Sequence, residues 1–204
     1  MSHYFEQNPT SNSCKKNVKV FIKNNHFSFV TDNDVFSKKG LDFGTRTLLE
    51  TLDVENIQGD ILDFGCGYGP IGIFLSHNGK TVDMIDINNR AIELSKINAK
   101  NNNVKVNVFQ SNMYENIDKK YDYIVSNPPI RVGNEILYKI LIGAKDYLKE
   151  KGHLIFVINK NQGARTVAKK LEDYYEVSIL NKNKGFFVID CQNHWQVVTY
   201  LVKL

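Results

Sequence analysis

The sequence predicts an α/β protein in which helices cover both faces of a mostly parallel sheet. From residue 60 onward, apolar strand-like segments alternate with helical segments. The strand-like segments are almost continuously apolar, which is typical of parallel strands buried on both faces. The last two are joined by a short link rich in Asn, Lys and Gly, and this link predicts an antiparallel pair.

The predicted elements follow one another in a regular order. Apolar runs predict strands over 61–64, 81–85, 104–109, 121–126, 152–158, 175–180 and 185–190. Apolar residues spaced three or four apart predict helices over 45–52, 70–77, 88–100, 134–149 and 162–174. Pro70 stands at a helix start, where a proline costs no hydrogen bond.

The first 35 residues differ from the rest of the chain. Residues 18–23 and 26–30 alternate between apolar and polar side chains, and Asn24-Asn25 between them suits a turn that requires positive φ. We therefore expect an N-terminal extension with a small β-hairpin over 1–35, followed by the main domain over 36–204. The apolar stretch 195–204 is strand-like, and either an edge strand or a cover for a helix face fits it.

Composition narrows the class of protein. The chain has 204 residues, no apolar run approaches the roughly 20 residues of a membrane helix, and the first twelve residues are polar. The three cysteines are far apart and show neither metal spacing nor a disulfide framework. We expect a cytoplasmic protein without a bound metal. The net charge of +4 permits a nucleic-acid partner without requiring one.

A glycine-rich turn predicts a cofactor site. Asp63, Gly65, Gly67 and Gly69 follow a strand and open a helix, and Asp86 ends the next strand, where a carboxylate can accept both hydroxyls of a ribose. A dinucleotide is one candidate, but a carboxylate beside a pyrophosphate is electrostatically unfavourable. Beside the cationic amino-acid end of S-adenosylmethionine it is favourable, and the motif therefore predicts that methyl donor.

The third strand of the series ends near the expected position of the adenine. Asn112 can present its carbonyl oxygen to the adenine amino group and its amide to a ring nitrogen. Ile87 and Met113, which adjoin Asp86 and Asn112, are assigned to the same cofactor site.

A stiff loop follows the fourth strand, with the sequence Asn127-Pro128-Pro129-Ile130. The prolines fix φ, and Asn127 is forced into an extended conformation. The side-chain oxygen of Asn127 and the carbonyl oxygen of Pro128 can each accept one N–H of a conjugated amino group. That would align the nitrogen with the methyl–sulfur bond and stabilise its growing charge. Asn127 and Pro128 are the predicted catalytic residues, and Asn127 is also assigned to the cofactor site.

Together these residues resemble the amino-methylating class I methyltransferases. Over roughly residues 16–190, the chain is similar to the RsmC-like family of small-subunit ribosomal RNA guanine-N2 methyltransferases. The matching segments are 35–37, 41–45, 67–72, 127–133 and 162–164. Many family members have Asp at the position of Asn112. Larger ones carry a second, N-terminal methyltransferase-like domain, whereas we expect a single catalytic domain here.

The resemblance implies a Rossmann-like, seven-stranded sheet with an antiparallel final hairpin. It implies methyl transfer from S-adenosylmethionine to the 2-amino group of a guanine. The expected partner is ribosomal RNA or the small ribosomal subunit, and a monomer is favoured. Phe43, Gly44 and Thr45 would then lie near the methionine end of the donor.

The acceptor base must be unpaired or flipped to reach the donor, and a side chain should stack on it. Phe36, Pro129, Ile130 and Arg131 are the predicted substrate-binding residues, and Lys38-Lys39 are further candidates for phosphate contacts. Three alternatives stay open: methylation of a release-factor glutamine, methylation of adenine N6 in tRNA or DNA, and a donor-binding RNA-assembly factor without turnover. The release-factor enzymes usually have Tyr in place of Ile130, and an intact Asn127 with Asp63 argues against the non-enzyme.

Overall fold

The computed structural model describes residues 7–8, 12–33, 35, 40–129 and 133–194. Two strands form a separate hairpin, β1 (Lys16–Ile22) and β2 (Asn25–Thr31). The main sheet contains β3 (Asp60–Phe64), β4 (Thr81–Asp86), β5 (Asn107–Gln110), β6 (Tyr121–Ser126), β7 (Leu148–Asn159), β8 (Glu176–Asn183) and β9 (Phe186–Gln192). The helices are α1 (Phe43–Thr51), α2 (Pro70–His77), α3 (Asn89–Asn101), α4 (Asn134–Gly143) and α5 (Ala164–Leu171).

The main sheet has seven strands in the order β5-β4-β3-β6-β7-β9-β8. Strands β3 to β7 pair in parallel, and β9 runs antiparallel between β7 and β8. The predicted sheet and its antiparallel final hairpin are confirmed. The chain moves outward from β3 to β5 and then crosses back to β6, so the strand order reverses between β3 and β6. Open α/β sheets bind ligands beside such a reversal, at the carboxyl ends of the strands.

Helices pack on both faces of this sheet, as predicted. One face buries α1, α2 and α3, with Leu48, Ile73 and Leu94 in the same core as Val125 of β6. The opposite face buries α4 and α5, with Leu141 in the same core as Phe156 of β7. Side chains on both surfaces of the strands are therefore buried, which explains why the strand segments are continuously apolar.

The hairpin packs against α3 through two asparagines. Asn98 donates to the carbonyl of Val30 and accepts from its N–H, and Asn102 makes the same pair of bonds with Ser28. Asn98 lies in α3 and Asn102 is the C-cap of that helix, four residues on, so both amides face β2 and satisfy its exposed backbone edge. Val20 and Phe29 lie in the same apolar core as α1. The proposed domain division at residue 35 stays a prediction.

Two predicted helices were too long. The predicted helix 134–149 ends at Gly143, a 3-10 turn follows over Ala144–Tyr147, and β7 begins at Leu148 instead of residue 152. Ala144 and Leu148 are both buried in the α4 core, so they extend the helical spacing although the backbone has left the helix. In the second case Gly163 adopts positive φ, and α5 extends from Ala164 to Leu171 instead of over 162–174.

Smaller boundary errors occur at the strand ends. β5 begins at Asn107 instead of residue 104, and β8 and β9 extend to Asn183 and Gln192. The hairpin turn is Lys23-Asn24, with both φ values positive, and not Asn24-Asn25, because Asn25 already pairs with Ile22. The predicted strand-like stretch 195–204 lies outside the described residues.

Candidate active site

A pocket of about 650 Å³ opens at the carboxyl ends of the parallel strands. Segments at the carboxyl ends of five strands line it: residues 65–68, 86–88, 111–113, 127–129 and 157–158. The start of α1 closes one side with Asp42, Phe43 and Thr45. The predicted cofactor and catalytic segments therefore meet in one cavity, beside the reversal between β3 and β6.

The glycine turn forms one wall of this pocket. Gly65, Gly67 and Gly69 all have positive φ, at 71°, 57° and 97°, which side chains other than glycine rarely adopt. A Cβ at Gly65 or Gly67 would meet no protein atom within 4 Å, so open space faces both positions. Ser95 of α3 donates to the carbonyl of Gly67 and fixes the turn from behind.

Asp86 lies at the end of β4 and is partly exposed in the pocket. Its carboxylate accepts from the N–H groups of Gly67 and Asn88, each at 2.9 Å. Burial raises the pKa of this carboxyl to about 6, against the lowering effect of those two N–H groups. Ile87, as predicted from its position, also lines the pocket.

Asp63 lies behind the pocket wall and is fully buried. One carboxylate oxygen accepts from the N–H of Gly72 in α2 at 2.8 Å, and the other has no hydrogen-bond partner. Burial raises its pKa to about 7, and the nearby Asp86 adds to the rise. Gly69 and Gly44, two further predicted cofactor residues, are likewise not on the pocket surface.

Tyr68 is a pocket residue that the sequence did not identify. Within the described part of the chain, two buried side-chain atoms lack a hydrogen-bond partner: the free oxygen of Asp63 and the hydroxyl of Tyr68. Both belong to the glycine turn segment, and buried polar groups are rarely left unpaired. A polar ligand at this turn would resolve both. Cys66, between them, is a neutral thiol, because burial raises its pKa well above the ordinary range.

Asn112 and Met113 line the opposite end of the pocket. The side-chain amide of Asn112 donates to Glu115 at 2.8 Å, which leaves its carbonyl oxygen for a ligand. Met113 has a φ of 49°, and the hydroxyl of Ser111 donates to its carbonyl. These contacts hold the segment after β5 in a tight turn beside Asp86, whose carbonyl accepts from the N–H of Ser111.

Asn127 is oriented by the start of α1. Its amide nitrogen donates to the hydroxyl of Thr45 at 2.9 Å and to the carboxylate of Asp42 at 3.3 Å. A carboxylate only accepts, so the nitrogen must face Asp42 and the side-chain oxygen must face away. Pro128 and Pro129 continue along the same pocket wall.

Asp42 is the residue whose role the sequence missed. It is the N-cap of α1, and its side chain accepts from the N–H of Thr45 at 3.0 Å. An Asp three residues before a helical Thr is a visible capping signal. Asn127 is 85 positions away along the chain, so no local sequence pattern indicates its contact with Asp42.

The mouth of the pocket is apolar. Phe43 of α1 and Phe186 of β9 line it with ring centroids 5.7 Å apart, and Ile136 of α4 is exposed beside them. Phe186 was not predicted. The predicted substrate residues Phe36, Ile130 and Arg131, with Lys38-Lys39, lie outside the described residues. Their neighbours Val35 and Pro129 line the pocket.

These features fit S-adenosylmethionine. The volume lies within the roughly 300–1,000 Å³ of small-molecule sites. The Asp86 carboxylate faces the pocket beside the open glycine turn, and a second carboxyl group, that of Asp63, lies behind that turn with one oxygen unpaired. Such negative charge suits a ligand with an ammonium group and ribose hydroxyls. Within the described part of the chain, no group of three or more His, Cys, Asp or Glu side chains is placed to hold a metal.

The fold and this pocket define a class I S-adenosylmethionine-dependent methyltransferase. The chain belongs to the Methyltransferase small domain family, whose sequence profile matches residues 26–190. In the described residues, no helix has the length and hydrophobicity that a bilayer-spanning segment requires.

Individual proteins agree with this assignment. The chain is 41% identical to the uncharacterized protein YbxB of Bacillus subtilis, over 92% of this chain and 96% of YbxB. It is 31% identical to ribosomal RNA small subunit methyltransferase C of Psychromonas ingrahamii, over 89% of this chain and 53% of that protein. The resemblance to the RsmC-like family is confirmed.

A solved structure matches the fold closely. It is the 16S rRNA N2 G1207 methyltransferase (RsmC) of T. thermophilus in complex with AdoMet and guanosine. The TM-score is 0.80 at 22% identity, over 91% of this chain and 52% of that one. The chain therefore spans about half the length of the named ribosomal RNA methyltransferases that it resembles.

Proposed function

We propose that this protein methylates the 2-amino group of a guanine in small-subunit ribosomal RNA. The orientation of Asn127 carries the proposal. Its amide nitrogen is held by Thr45 and Asp42, which directs its oxygen away from α1, and Asn127 lines the same pocket as Asp86. The named RsmC relatives supply the acceptor class, because their names specify small-subunit ribosomal RNA.

The donor would occupy the wall formed by the glycine turn. The Asp86 carboxylate accepts the two ribose hydroxyls, and the carbonyl oxygen of Asn112 accepts from the adenine amino group. The amino-acid end would lie over the part of the turn that buries the unpaired oxygen of Asp63 and the hydroxyl of Tyr68. When bound, S-adenosylmethionine supplies an electrophilic methyl group on a positively charged sulfur.

The Asn127 loop holds and activates the acceptor amine. A guanine amino group is conjugated with its ring, so its lone pair is a poor nucleophile. The side-chain oxygen of Asn127 and the carbonyl oxygen of Pro128 each accept one N–H, which orients the lone pair toward the methyl group and stabilises the charge developing on nitrogen. The proton leaves after the nitrogen has become positively charged and acidic, so no strong general base is required.

The neighbouring apolar surface suits a base. Phe43, Phe186 and Pro129 provide flat surfaces at the mouth, against which an unstacked guanine packs. The target nucleotide must be unpaired or flipped to reach this depth.

The acceptor is tested by offering several classes side by side. The protein is incubated with donor labelled in the methyl group and, separately, undermodified small ribosomal subunits, naked small-subunit ribosomal RNA, DNA and release factor. We expect label in RNA that digests to N2-methylguanosine. Label in protein or DNA alone, or methyladenosine in the RNA digest, would refute the proposed acceptor. Donor binding without label in any acceptor would favour the non-enzymatic assembly factor.

A further inference from the structure

Positive charge is concentrated in one part of the chain. Residues 151–189 contain seven Lys and Arg residues and three Asp and Glu residues, a net charge of +4. The whole chain also has a net charge of +4, so positive and negative side chains are equal in number in the rest of the chain. The three acids, Glu172, Asp173 and Glu176, lie around the end of α5 and the start of β8, at the opposite end of the strands from the pocket.

Three of these cations form what we term the lysine rim: Lys160, Lys182 and Lys184. All three are exposed. Lys160 follows β7, and its N–H donates to the carbonyl of Gly185 at 2.7 Å, which ties the end of β7 to the tip of the β8–β9 hairpin. Lys184 and Gly185 both have positive φ, at 45° and 85°, and form that tip.

Two of the three lysines of the rim, Lys160 and Lys184, adjoin residues that line the pocket. The ammonium group of Lys184 lies 5.4 Å from the ring centroid of Phe43, which lines the pocket. Phe186, directly after the hairpin tip, and Gln162, two residues after Lys160, line it as well. The ammonium group of Lys182, near the end of β8, lies 5.2 Å from the ring centroid of Phe187, which follows Phe186 in β9 and packs in the core on the other face of the sheet.

Carboxylates do not neutralise the lysine rim. Among the described residues, none of its three ammonium groups pairs with an Asp or Glu, whereas Lys119 pairs with Asp83 at 2.9 Å and Lys149 with Asp122 at 2.7 Å. Those pairs lie at the amino ends of the strands. Unpaired cations are thus found beside the pocket mouth, while these two lysines at the far end of the strands are paired.

We propose that the lysine rim binds the phosphate backbone of RNA next to the nucleotide that enters the pocket. The inference rests on the proposed function, which makes the acceptor an RNA. A polyanion gains affinity from each lysine by releasing counterions, and such contacts position a strand without reading its sequence. The apolar mouth then receives the base while the adjoining lysines hold its flanking phosphates.

The test compares two triple variants of equal charge change. The first carries Lys160→Gln, Lys182→Gln and Lys184→Gln. The control carries Lys96→Gln, Lys100→Gln and Lys105→Gln, exposed positions in α3 and before β5, at the opposite edge of the sheet. Each is titrated with a mixed-sequence single-stranded RNA of about 16 nucleotides, from about 50 to about 200 mM salt.

We expect the rim variant to bind RNA about tenfold or more weakly at about 0.1 M salt. The slope of log affinity against log salt should fall by about two, because each lost phosphate contact on a single strand removes about 0.7. The control should bind like the wild type, and donor affinity should be unchanged in both. A rim triple with Arg at the three positions should restore binding.

Equal RNA affinity of the rim and control variants would overturn the proposal that the lysine rim binds phosphates. A wild-type protein that does not bind RNA would overturn it as well. The outcome is separable from the proposed function. Guanine methylation together with equal RNA affinity of the rim and control variants would refute only the proposed phosphate binding by the lysine rim. Rim-dependent RNA binding together with methylation of another acceptor would refute only the guanine assignment.

Discussion

Asn127 shows how a single residue acquires its role from its neighbours. An isolated asparagine before two prolines is a common turn. Here its amide nitrogen is engaged by Thr45 and Asp42, so the side-chain oxygen has one defined direction. Thr45 is buried in α1, and its position is set by the Asp42 cap. The start of α1 therefore sets the direction of the Asn127 side chain, and in the proposed function it would act on the acceptor through Asn127 without touching it.

Asp86 should make donor binding depend on pH. Its pKa of about 6 lies above the ordinary carboxyl value. The ionised form can accept both ribose hydroxyls, whereas protonation turns one oxygen into a donor, so donor affinity should fall below about pH 6. Asp63, with a pKa of about 7, acts in the same direction, so the decline should begin near neutrality.

Calorimetric titration of the donor from about pH 5 to about pH 8 checks this. The variant Asp86→Asn should bind more weakly and should lose the steeper part of the decline below about pH 6. An unchanged pH profile in that variant would show that Asp86 does not hold the ribose.

At the residue scale, the sequence located pocket-lining residues where they belong to a local motif. Asp86 ends β4 and Asn127 directly follows β6, and parallel strands bring such positions to one edge. Asp42, Tyr68 and Phe186 were missed for a common reason. Their importance comes from contacts across the sheet or from a missing hydrogen-bond partner, and neither leaves a spacing in the sequence.

At the scale of elements, α2 places the glycine turn against the sheet. Gly72, the third residue of the helix, packs so closely on β4 that a Cβ would lie 2.6 Å from two atoms of Met84 and 3.0 Å from a carboxylate oxygen of Asp63. This close approach lets the N–H of Gly72 reach Asp63. A larger residue would push the helix start away from the sheet.

We expect Gly72→Ala to destabilise the protein by about 1–3 kcal/mol, the usual cost of overpacking a core. The matched control is Gly143→Ala at the end of α4, where a Cβ would make ordinary contact with the Tyr114 ring at 3.6 Å. That change should be neutral or stabilising by about 0.5–1 kcal/mol. Denaturant unfolding measures both, and equal stability of the two variants would contradict the packing argument.

The existence and type of the main elements could be predicted from the sequence, and their ends could not. Ala144 and Leu148 continue the apolar spacing of α4 because they face the same core, although the chain there is a 3-10 turn and then β7. Leu148 pairs with Tyr121 of β6, a long-range contact that fixes the strand start. The spacing of apolar residues shows which side of a segment is buried. It does not show whether the backbone there is helical or extended.

At the scale of the whole molecule, the sheet order and the hairpin both serve the pocket. The reversal between β3 and β6 places the Asn127 loop next to the glycine turn, although the two are about 60 residues apart in sequence. Asn98 bonds the hairpin on one side and donates to the carbonyl of Tyr68 on the other. The hairpin thus braces the glycine turn through α3.

Charge is also distributed at this scale. The basic segment 151–189 lies in β7, α5, β8 and most of β9, which form one edge of the sheet, and the donor wall is formed by β3, β4 and β5. The Asn127 loop lies between them. We propose that the acceptor strand approaches along the basic edge while the donor enters on the other side of the loop, so that the two meet at Asn127.

We propose that Asn127 activates the acceptor from a position fixed by Thr45. The most direct measurement is a double-mutant cycle of single-turnover methyl transfer with Asn127→Ala, Thr45→Val and the double variant, using donor affinity as the control. We predict that Asn127→Ala lowers the rate about 10²- to 10³-fold with little change in donor affinity. Thr45→Val alone should lower it about tenfold, as the loss of one hydrogen bond allows, and should add nothing in the Asn127→Ala background. A wild-type rate in Asn127→Ala, or an equal effect of Thr45→Val in both backgrounds, would contradict the account.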